Sequence, residues 1–357
     1  MTALPMTTLT RLAPAPDTAA PDAKTLRRRP VLAKEGHPAV RPVAAAHLTD
    51  EDVAELGREL DAIRDAVLAD RGAKDAAYIR RVIRTQRSLE IGGRACLVFA
   101  SLPPAWVAGV AMLSVAKILE NMEIGHNVLH GQWDWMNDPV INSSAWDWDT
   151  ASTAEAWKHS HNYVHHTYTN IRGKDRDLGY EIMRIDPHQP WHPVYLLQPL
   201  YNLALMAFFE WGVAFHDLDI DAIRAGEKSK EDLREELKGI VHKARLQIQK
   251  DYVSWPALSA AIMTGVEYGV FRATRRKPKR RFRREPEPRF DALAAARRTF
   301  LATLTADAAA NIVRNLWAHG IIFCGHFPDQ TLRIRFAVKF AYRVFFHSLP
   351  LSAGKKT

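Results

Sequence analysis

The sequence predicts an all-α protein, part of which inserts into a membrane. Apolar residues recur at three- and four-residue intervals between residues 53 and 67, which is the periodicity of an amphipathic helix. The segments 93–119 and 194–215 are almost free of charged residues, and about 20 such residues cross a bilayer as a helix. Signals for β-strands are short and weak, so no sheet is expected.

The first predicted helix lies in LTDEDVAELGRELDAIRDAVLAD, residues 48–70. Thr49 and Asp52 have the spacing of a capping box, which marks the start of a helix. The apolar positions that follow are Val53, Leu56, Leu60, Ile63 and Val67. A second helix is predicted through DAAYIRRVIRTQRSLE, where basic residues are well placed for a membrane surface. Residues 1–47 contain no apolar signal-peptide core and are predicted to be disordered.

The apolar segments differ in how well they fit a membrane span. In segment 93–119, Pro103 and Pro104 favour a turn between two short arms. Segment 194–215 is predicted to be a cleaner span, with Glu210 as its only charge. Two shorter apolar pieces, 252–271 and 299–324, contain charged residues. The alternative is that these segments are buried helices of a soluble protein.

Charge and cysteine content restrict the class of protein. The net charge is +9, and residues 272–289 carry ten Lys and Arg. Such clusters bind nucleic acids or flank membrane spans, and because no nucleic-acid-binding motif accompanies this cluster, the second interpretation is favoured. The two cysteines, Cys96 and Cys324, lie in apolar surroundings, which indicates a reducing compartment rather than a disulfide framework.

Two histidine clusters carry the strongest chemical signal. HNVLH places His126 and His130 four residues apart, on one face of a helix. HNYVHH provides three more imidazoles, with one further candidate two residues upstream of it. These residues are His161, His165, His166 and the candidate His159. Neutral imidazole suits iron, zinc and copper, and five or six ligands exceed the four positions of a zinc site. Two metal ions would account for the surplus.

Other metal-binding motifs are absent or incomplete in this sequence. There is no H-E-x-x-H motif of a zinc peptidase. Soluble di-iron bundles use two Glu-x-x-His motifs, whereas this sequence has one, from Glu123 to His126. A histidine-rich site at a membrane surface remains. Five isolated histidines are predicted to be ordinary surface or core residues: His37, His188, His192, His216 and His242.

The sequences HNVLHGQWDW and EAWKHSHNYVHHTYTNIRGKDRDLGY resemble the membrane fatty acid desaturase family, particularly its bacterial members, over residues 50–329. The resemblance implies an integral membrane helical bundle with a cytosolic helical cap that carries a histidine-rich di-metal site. The first pair, His126 and His130, matches the family's first histidine box, and HNYVHH matches the second. NIVRNLWAHGIIFCGHFPD resembles a later helix of the family, so Asn315 and His319 are implied as further contributors.

The resemblance also implies an activity and its partners. Two iron ions and O2 would introduce a double bond into an acyl chain linked to CoA, a carrier protein or a lipid. Electrons would come from a separate donor, such as ferredoxin with its reductase, because no cytochrome b5-like haem motif is present. The implied location is the cell membrane, with several spans and the metal site facing the cytoplasm. A membrane di-iron hydroxylase and a catalytically inactive metal-binding remnant remain alternatives.

The sequence departs from the family pattern in two places. The family's third box, a set of paired histidines, is not found in residues 331–357, where His347 stands alone. Residues 266–297 form an unfamiliar basic insertion. The predicted organisation is therefore a disordered segment 1–47, a desaturase-like membrane domain 48–330 and a divergent tail. Impaired activity is an expectation that follows from the missing box, because metal binding depends on ligand number.

Overall fold

A computed structural model of the chain describes residues 47–169, 174–185, 189–274 and 289–326. Every regular element in these ranges is helical, which confirms the predicted all-α class. The chain divides into two compact units, Met1–Arg71 and Gly72–Thr357. The predictions for residues 1–46, for the centre of the basic insertion at 275–288 and for the tail 331–357 lie outside the described residues, as do His37 and His188.

The first unit contains helix α1, Asp50–Asp70. Its start is the predicted capping box: the Thr49 side chain accepts a hydrogen bond from the Asp52 amide at 3.1 Å. In return, the Thr49 amide donates to the Asp52 carboxylate at 2.7 Å. No residue of α1 is buried, so its apolar stripe lies exposed.

The second unit contains eleven described α-helices, three of which are continued by π-helical turns. The α-helices are α2 (Ala73–Leu97), α3 (Pro103–Ile118), α4 (His126–Leu129), α5 (Ala154–Trp157), α6 (His166–Tyr168), α7 (Gln198–Ala207), α8 (Phe209–His216), α9 (Ile220–Ala225), α10 (Lys230–Gln247), α11 (Trp255–Thr274) and α12 (Ala292–His326). The π-helical segments are Leu119–Gly125, Lys158–His165 and Ile248–Ser254.

Helices α2 and α3 form a close hairpin, and the predicted turn between two apolar arms is confirmed. Pro103 occupies the first turn of α3, where its missing amide hydrogen costs nothing. The two helices approach closely at glycines. A Cβ atom added to Gly93 would lie 2.8 Å from Leu113 Cγ, and one added to Gly109 would lie 2.4 Å from Leu97 Cδ2.

The expectation of one continuous span over residues 194–215 is wrong. The segment begins as a 3-10 turn, Pro193–Leu197, and continues as α7 and α8. Phe208 separates these two helices because its φ of −116° and ψ of 32° leave the helical region. Across the described ranges, no helix combines the length and apolar character needed to cross a membrane.

Helix α12 packs against both α3 and α11 and buries the charges that the sequence places inside apolar pieces. Arg94 of α2 donates to Asp307 of α12 and to Asp251 of the third π-helical segment, both at 2.6 Å. Lys117 of α3 donates to the same Asp251 at 2.7 Å. Buried charges are tolerated when they are paired, so this network joins the helices at one level.

Candidate metal centre

The first histidine pair is positioned by a π-helical segment and a tight apolar core. Residues Leu119–Gly125 lead directly into α4, which begins with His126 and is followed by His130. Buried Ile124 and Val128, on either side of His126 in the sequence, belong to one apolar core cluster. The Nε2 atoms of the two histidines lie 3.2 Å apart. Two nitrogens bound at about 2.1 Å to one metal ion have about this separation, so the pair is preshaped to share a metal.

The second cluster follows α5, whose start is capped by the Thr153 side chain. It then occupies the π-helical segment Lys158–His165. The imidazoles of His161 and His165 stack with their centroids 5.0 Å apart. His166, the first residue of α6, lies 4.8 Å from the His130 ring between centroids and 4.9 Å from that of His161. Single π-helical turns are common at functional sites, because they redirect side chains.

The two clusters therefore converge, and all five histidines of the two boxes lie together. Within the described part of the chain, two sets of potential ligand atoms each fall within 4.8 Å of one another. One set is His126, His130 and His161, and the other is His161, His165 and Asp177. Because His161 is common to both sets, the two histidine boxes form one continuous group of potential ligands.

Two carboxylates orient the second cluster. His165 Nδ1 lies 2.9 Å from the carboxylate of Asp175, and His161 Nδ1 lies 3.2 Å from that of Asp177. A hydrogen bond from Nδ1 leaves Nε2 as the nitrogen with a free lone pair, which is the usual arrangement behind a metal-bound histidine. The Asp175 carboxylate also accepts a hydrogen bond from the backbone amide of Asp177 at 3.0 Å, which ties the two residues together.

His216, predicted to be an ordinary residue, belongs to this arrangement. Its Nε2 lies 3.2 Å from the second oxygen of Asp177. Burial would raise the pKa of Asp177, but its contacts with His161 and His216 hold it well below its usual range. Sequence reasoning missed all three of these residues, Asp175, Asp177 and His216, although each left a signal. Asp175 and Asp177 follow the second box within KDRD, and His216 stands in FHDLD beside two acidic residues.

Electrostatics favour the metal-binding form of His130. Burial, together with the neighbouring His161 and His166, lowers the pKa of His130 to about 4. At neutral pH the imidazole is therefore uncharged and presents a lone pair, which a metal ligand requires.

An apolar cavity borders the histidines. Its wall includes His126 and His161, and most of its exposed surface comes from apolar atoms, although the carboxylates of Asp177, Asp217 and Glu210 also line it. The main apolar lining residues are Trp148, Trp157, Tyr180, Phe209, Val213 and Ile322. An ion pair between Arg314 and Glu210 forms another part of the wall. The cavity thus combines a potential metal site with a surface suited to hydrocarbon.

The other candidate ligands lie in different positions relative to the cluster. Asn315 lines the cavity and donates a hydrogen bond to the Ala207 carbonyl at 2.8 Å. His319 is fully buried; its Nε2 lies 3.1 Å from Asn202 Oδ1, and its ring stacks on Phe323. His319 belongs to neither of the two ligand sets. His159 is exposed and stacks on Tyr163 at 5.8 Å, away from the other histidines.

Comparison with known proteins shows similarity to fatty acid desaturases. The sequence profile of the family described as "Fatty acid desaturase" matches residues 101–266. The NADPH-dependent stearoyl-CoA 9-desaturase of Mycobacterium tuberculosis, strains CDC 1551 / Oshkosh and ATCC 25618 / H37Rv, is 44% identical over 284 residues. That match covers 80% of this chain and 59% of the relative.

A more distant relative matches a shorter region. The sn-1 linoleoyl-lipid 6-desaturase of Synechocystis sp. is 32% identical over 114 residues, which covers 30% of this chain and 31% of that protein. No solved structure gives a significant match. The chain spans about three fifths of the length of the mycobacterial relatives, at 59%. The profile match, the mycobacterial identity and the converging histidine boxes agree: the chain belongs to the fatty acid desaturase family.

Proposed function

We propose that the chain is an acyl desaturase that introduces a double bond into a fatty acyl chain with O2 at a histidine-ligated di-iron centre. One observation carries the proposal: five histidines from two boxes converge, and two of them, His126 and His161, form part of the wall of a cavity with an apolar surface. Metal ions bound by these histidines would lie beside a surface suited to hydrocarbon. The 44% identity to a stearoyl-CoA desaturase supports the same reaction class.

The residues present fit iron. Imidazole is a common ligand of iron, and ligands outnumber those that a single zinc ion needs. His126, His130, His161, His165 and His166 would hold two ions, with Asn315 and His319 of α12 as further contributors. When bound, the iron would supply the dioxygen chemistry that removes two hydrogens from adjacent methylene groups.

The protein's own residues orient the centre and the substrate. Asp175 and Asp177 hold the His165 and His161 rings through Nδ1, which fixes the direction of the opposite nitrogens. The apolar lining, including Trp157 and Phe209, excludes water and confines an acyl chain beside the metals. Confinement of this kind selects which methylene groups lie within reach of the oxidant.

The proposed substrate is an acyl group on CoA or on a lipid, the two carriers that the names of the relatives contain. Removal of two hydrogens with reduction of O2 to water also requires two external electrons. A separate donor, such as ferredoxin with its reductase, is proposed to supply them. The mycobacterial relative is named as NADPH-dependent, which is consistent with a reductase that draws on NADPH.

We also propose that the second unit is embedded in the cell membrane, with the metal centre facing the cytoplasm. Helix α11 exposes an apolar row at four-residue spacing, and α3 exposes Val107 and Val115. The row of α11 is Leu258, Ile262, Val266 and Val270. Arg80 and Arg84 of α2 adjoin Ile79, which belongs to the same apolar cluster as Val128, the residue between the first two histidines. Basic residues flank membranes on the cytoplasmic side, which supports this orientation.

Product analysis tests the proposed reaction. The detergent-purified chain is loaded with iron and supplied with O2, stearoyl-CoA, ferredoxin, ferredoxin reductase and NADPH, and the acyl products are examined by mass spectrometry. Loss of two hydrogens with formation of a double bond is expected, whereas an added oxygen atom would identify a hydroxylase. His161→Ala should abolish the product, and His159→Ala, a matched exposed histidine, should retain it. No product from the wild type under conditions in which it binds iron would contradict the proposal.

A further inference from the structure

Helix α1 has the residue pattern of a coiled-coil strand. With Val53 as position a of a heptad, the core positions a and d are occupied by apolar residues over most of three heptads. These residues are Val53, Leu60 and Val67 at a, and Leu56 and Ile63 at d. Their spacing alternates between three and four residues, which is the narrow seam of a two-stranded coil rather than a broad core-facing stripe.

Among the residues that the structure describes, the seam is exposed. Its five residues are between 45% and 64% exposed, from Val53 to Val67. The helix has 21 residues, so it presents an apolar row of about 30 Å. Most of the stability of a helix in a protein comes from packing its apolar face. An occupant of the exposed seam would supply that packing.

We propose that the occupant is α1 of a second copy of this chain, in a parallel two-stranded coiled coil. Two of the three a positions are β-branched valines, and the first d position is a leucine, which is the combination that favours parallel dimers. Asp70 at the final d position ends the seam at the end of the helix.

Charge complementarity supports the parallel orientation. Positions g and e of successive heptads face each other across a parallel dimer, and here they are Glu59 and Arg64. The twofold axis therefore creates two Glu59–Arg64 pairs between the chains. An antiparallel pair with the same apolar layers instead brings Glu59 of one chain opposite Glu59 of the other, which is repulsive.

The charge of α1 disfavours an anionic membrane as the occupant. The helix carries eight acidic residues and two basic ones. The acidic residues are Asp50, Glu51, Asp52, Glu55, Glu59, Asp61, Asp65 and Asp70; the basic ones are Arg58 and Arg64. Amphipathic helices that bind anionic lipid have basic polar faces, so this helix has the wrong sign.

Disulfide trapping of the full chain in detergent tests the pairing directly. In a background with Cys96 and Cys324 replaced by Ala, Ile63→Cys lies at a core d position. A parallel coil brings the two copies of residue 63 together, within the Cα separation that a disulfide permits. Rapid covalent dimerisation is expected. Ala62→Cys, one residue away on the outer face, is the matched control and should not form a covalent dimer.

Charge reversal tests the orientation independently. Glu59→Lys and Arg64→Glu should each raise the dimer dissociation constant roughly tenfold, because each converts two attractive pairs into repulsive ones. The double reversal should restore dimerisation. Glu55→Lys, at the outward-facing position c, should leave the dissociation constant unchanged.

Three results would overturn the pairing. Ile63→Cys could dimerise no faster than Ala62→Cys, which would exclude a parallel seam. A disulfide formed only in a mixture of Ile63→Cys and Val53→Cys would show the antiparallel arrangement. Flotation with anionic vesicles that Leu60→Glu abolishes would identify a membrane surface as the occupant. None of these readouts depends on iron or on desaturation, so they stand apart from the proposed activity.

Discussion

Asp177→Asn should weaken Fe(II) binding about 10- to 100-fold, because Asp177 orients the histidines of the proposed metal cluster from behind. One of its carboxylate oxygens faces His161 Nδ1 at 3.2 Å and His165 Nδ1 at 3.6 Å, and the other faces His216 at 3.2 Å. Asparagine has one acceptor oxygen in place of two. In the variant, either His161 or His216 therefore faces an amide NH2 group and loses its acceptor.

The magnitude follows from the role of such partners in other metal sites. Removing a hydrogen-bond acceptor behind a ligating histidine typically costs 10- to 100-fold in affinity, or about 1.4–2.8 kcal/mol. Asp177→Asn should lie within this range, because His165 keeps its 2.9 Å contact with Asp175. The double variant with Asp175→Asn should bind more weakly still, since both oriented rings then lose a carboxylate.

Anaerobic competition with a chromophoric Fe(II) chelator measures the affinity of each variant. Circular dichroism of the metal-free proteins shows whether the helices are intact. Asp134→Asn is a control of the same chemistry, because Asp134 binds Ser143 rather than a histidine. Equal iron affinity in Asp177→Asn and the wild type would refute the orienting role.

Two further predictions concern stability. Asp251→Ala should lower the unfolding free energy by about 3–5 kcal/mol, because Arg94 would lose a buried partner. Glu235→Ala, in an exposed pair with Lys238, should lower it by at most about 1 kcal/mol. Thermal unfolding measures both changes. Burial would raise the pKa of Asp149, but nearby lysines, Lys250 among them, lower it to about 2. Its ionised form therefore stabilises the fold above about pH 4, and the advantage of the metal-free wild type over Asp149→Asn should shrink as pH falls from about 4 to about 2.

Local sequence signals predicted the features that depend on neighbouring residues. The capping box of Thr49 and Asp52 fixes the start of α1, and Pro103 marks the turn after α2. Within each histidine box, the histidines four residues apart lie side by side, as their spacing indicated. In each case the deciding contacts lie within a few residues along the chain, so a periodicity or a spacing contains the necessary information.

Features that depend on distant contacts were not predicted. His216 meets Asp177 across 39 residues, and no local pattern specifies that encounter. The break at Phe208 divides an apolar segment whose composition favours one continuous helix. The π-helical turns around both boxes likewise depend on packing, because α- and π-helices use the same residue types.

Iron content per chain tests the central claim most directly. Detergent-purified protein, reconstituted anaerobically with Fe(II) and freed of excess metal, is analysed for iron and for protein in the same sample. The proposed centre predicts about two irons per chain in the wild type and in His159→Ala, and a clear loss in His161→Ala. Wild-type protein without iron, or iron content that His161→Ala leaves unchanged, would contradict the claim that the converging histidines form a di-iron centre.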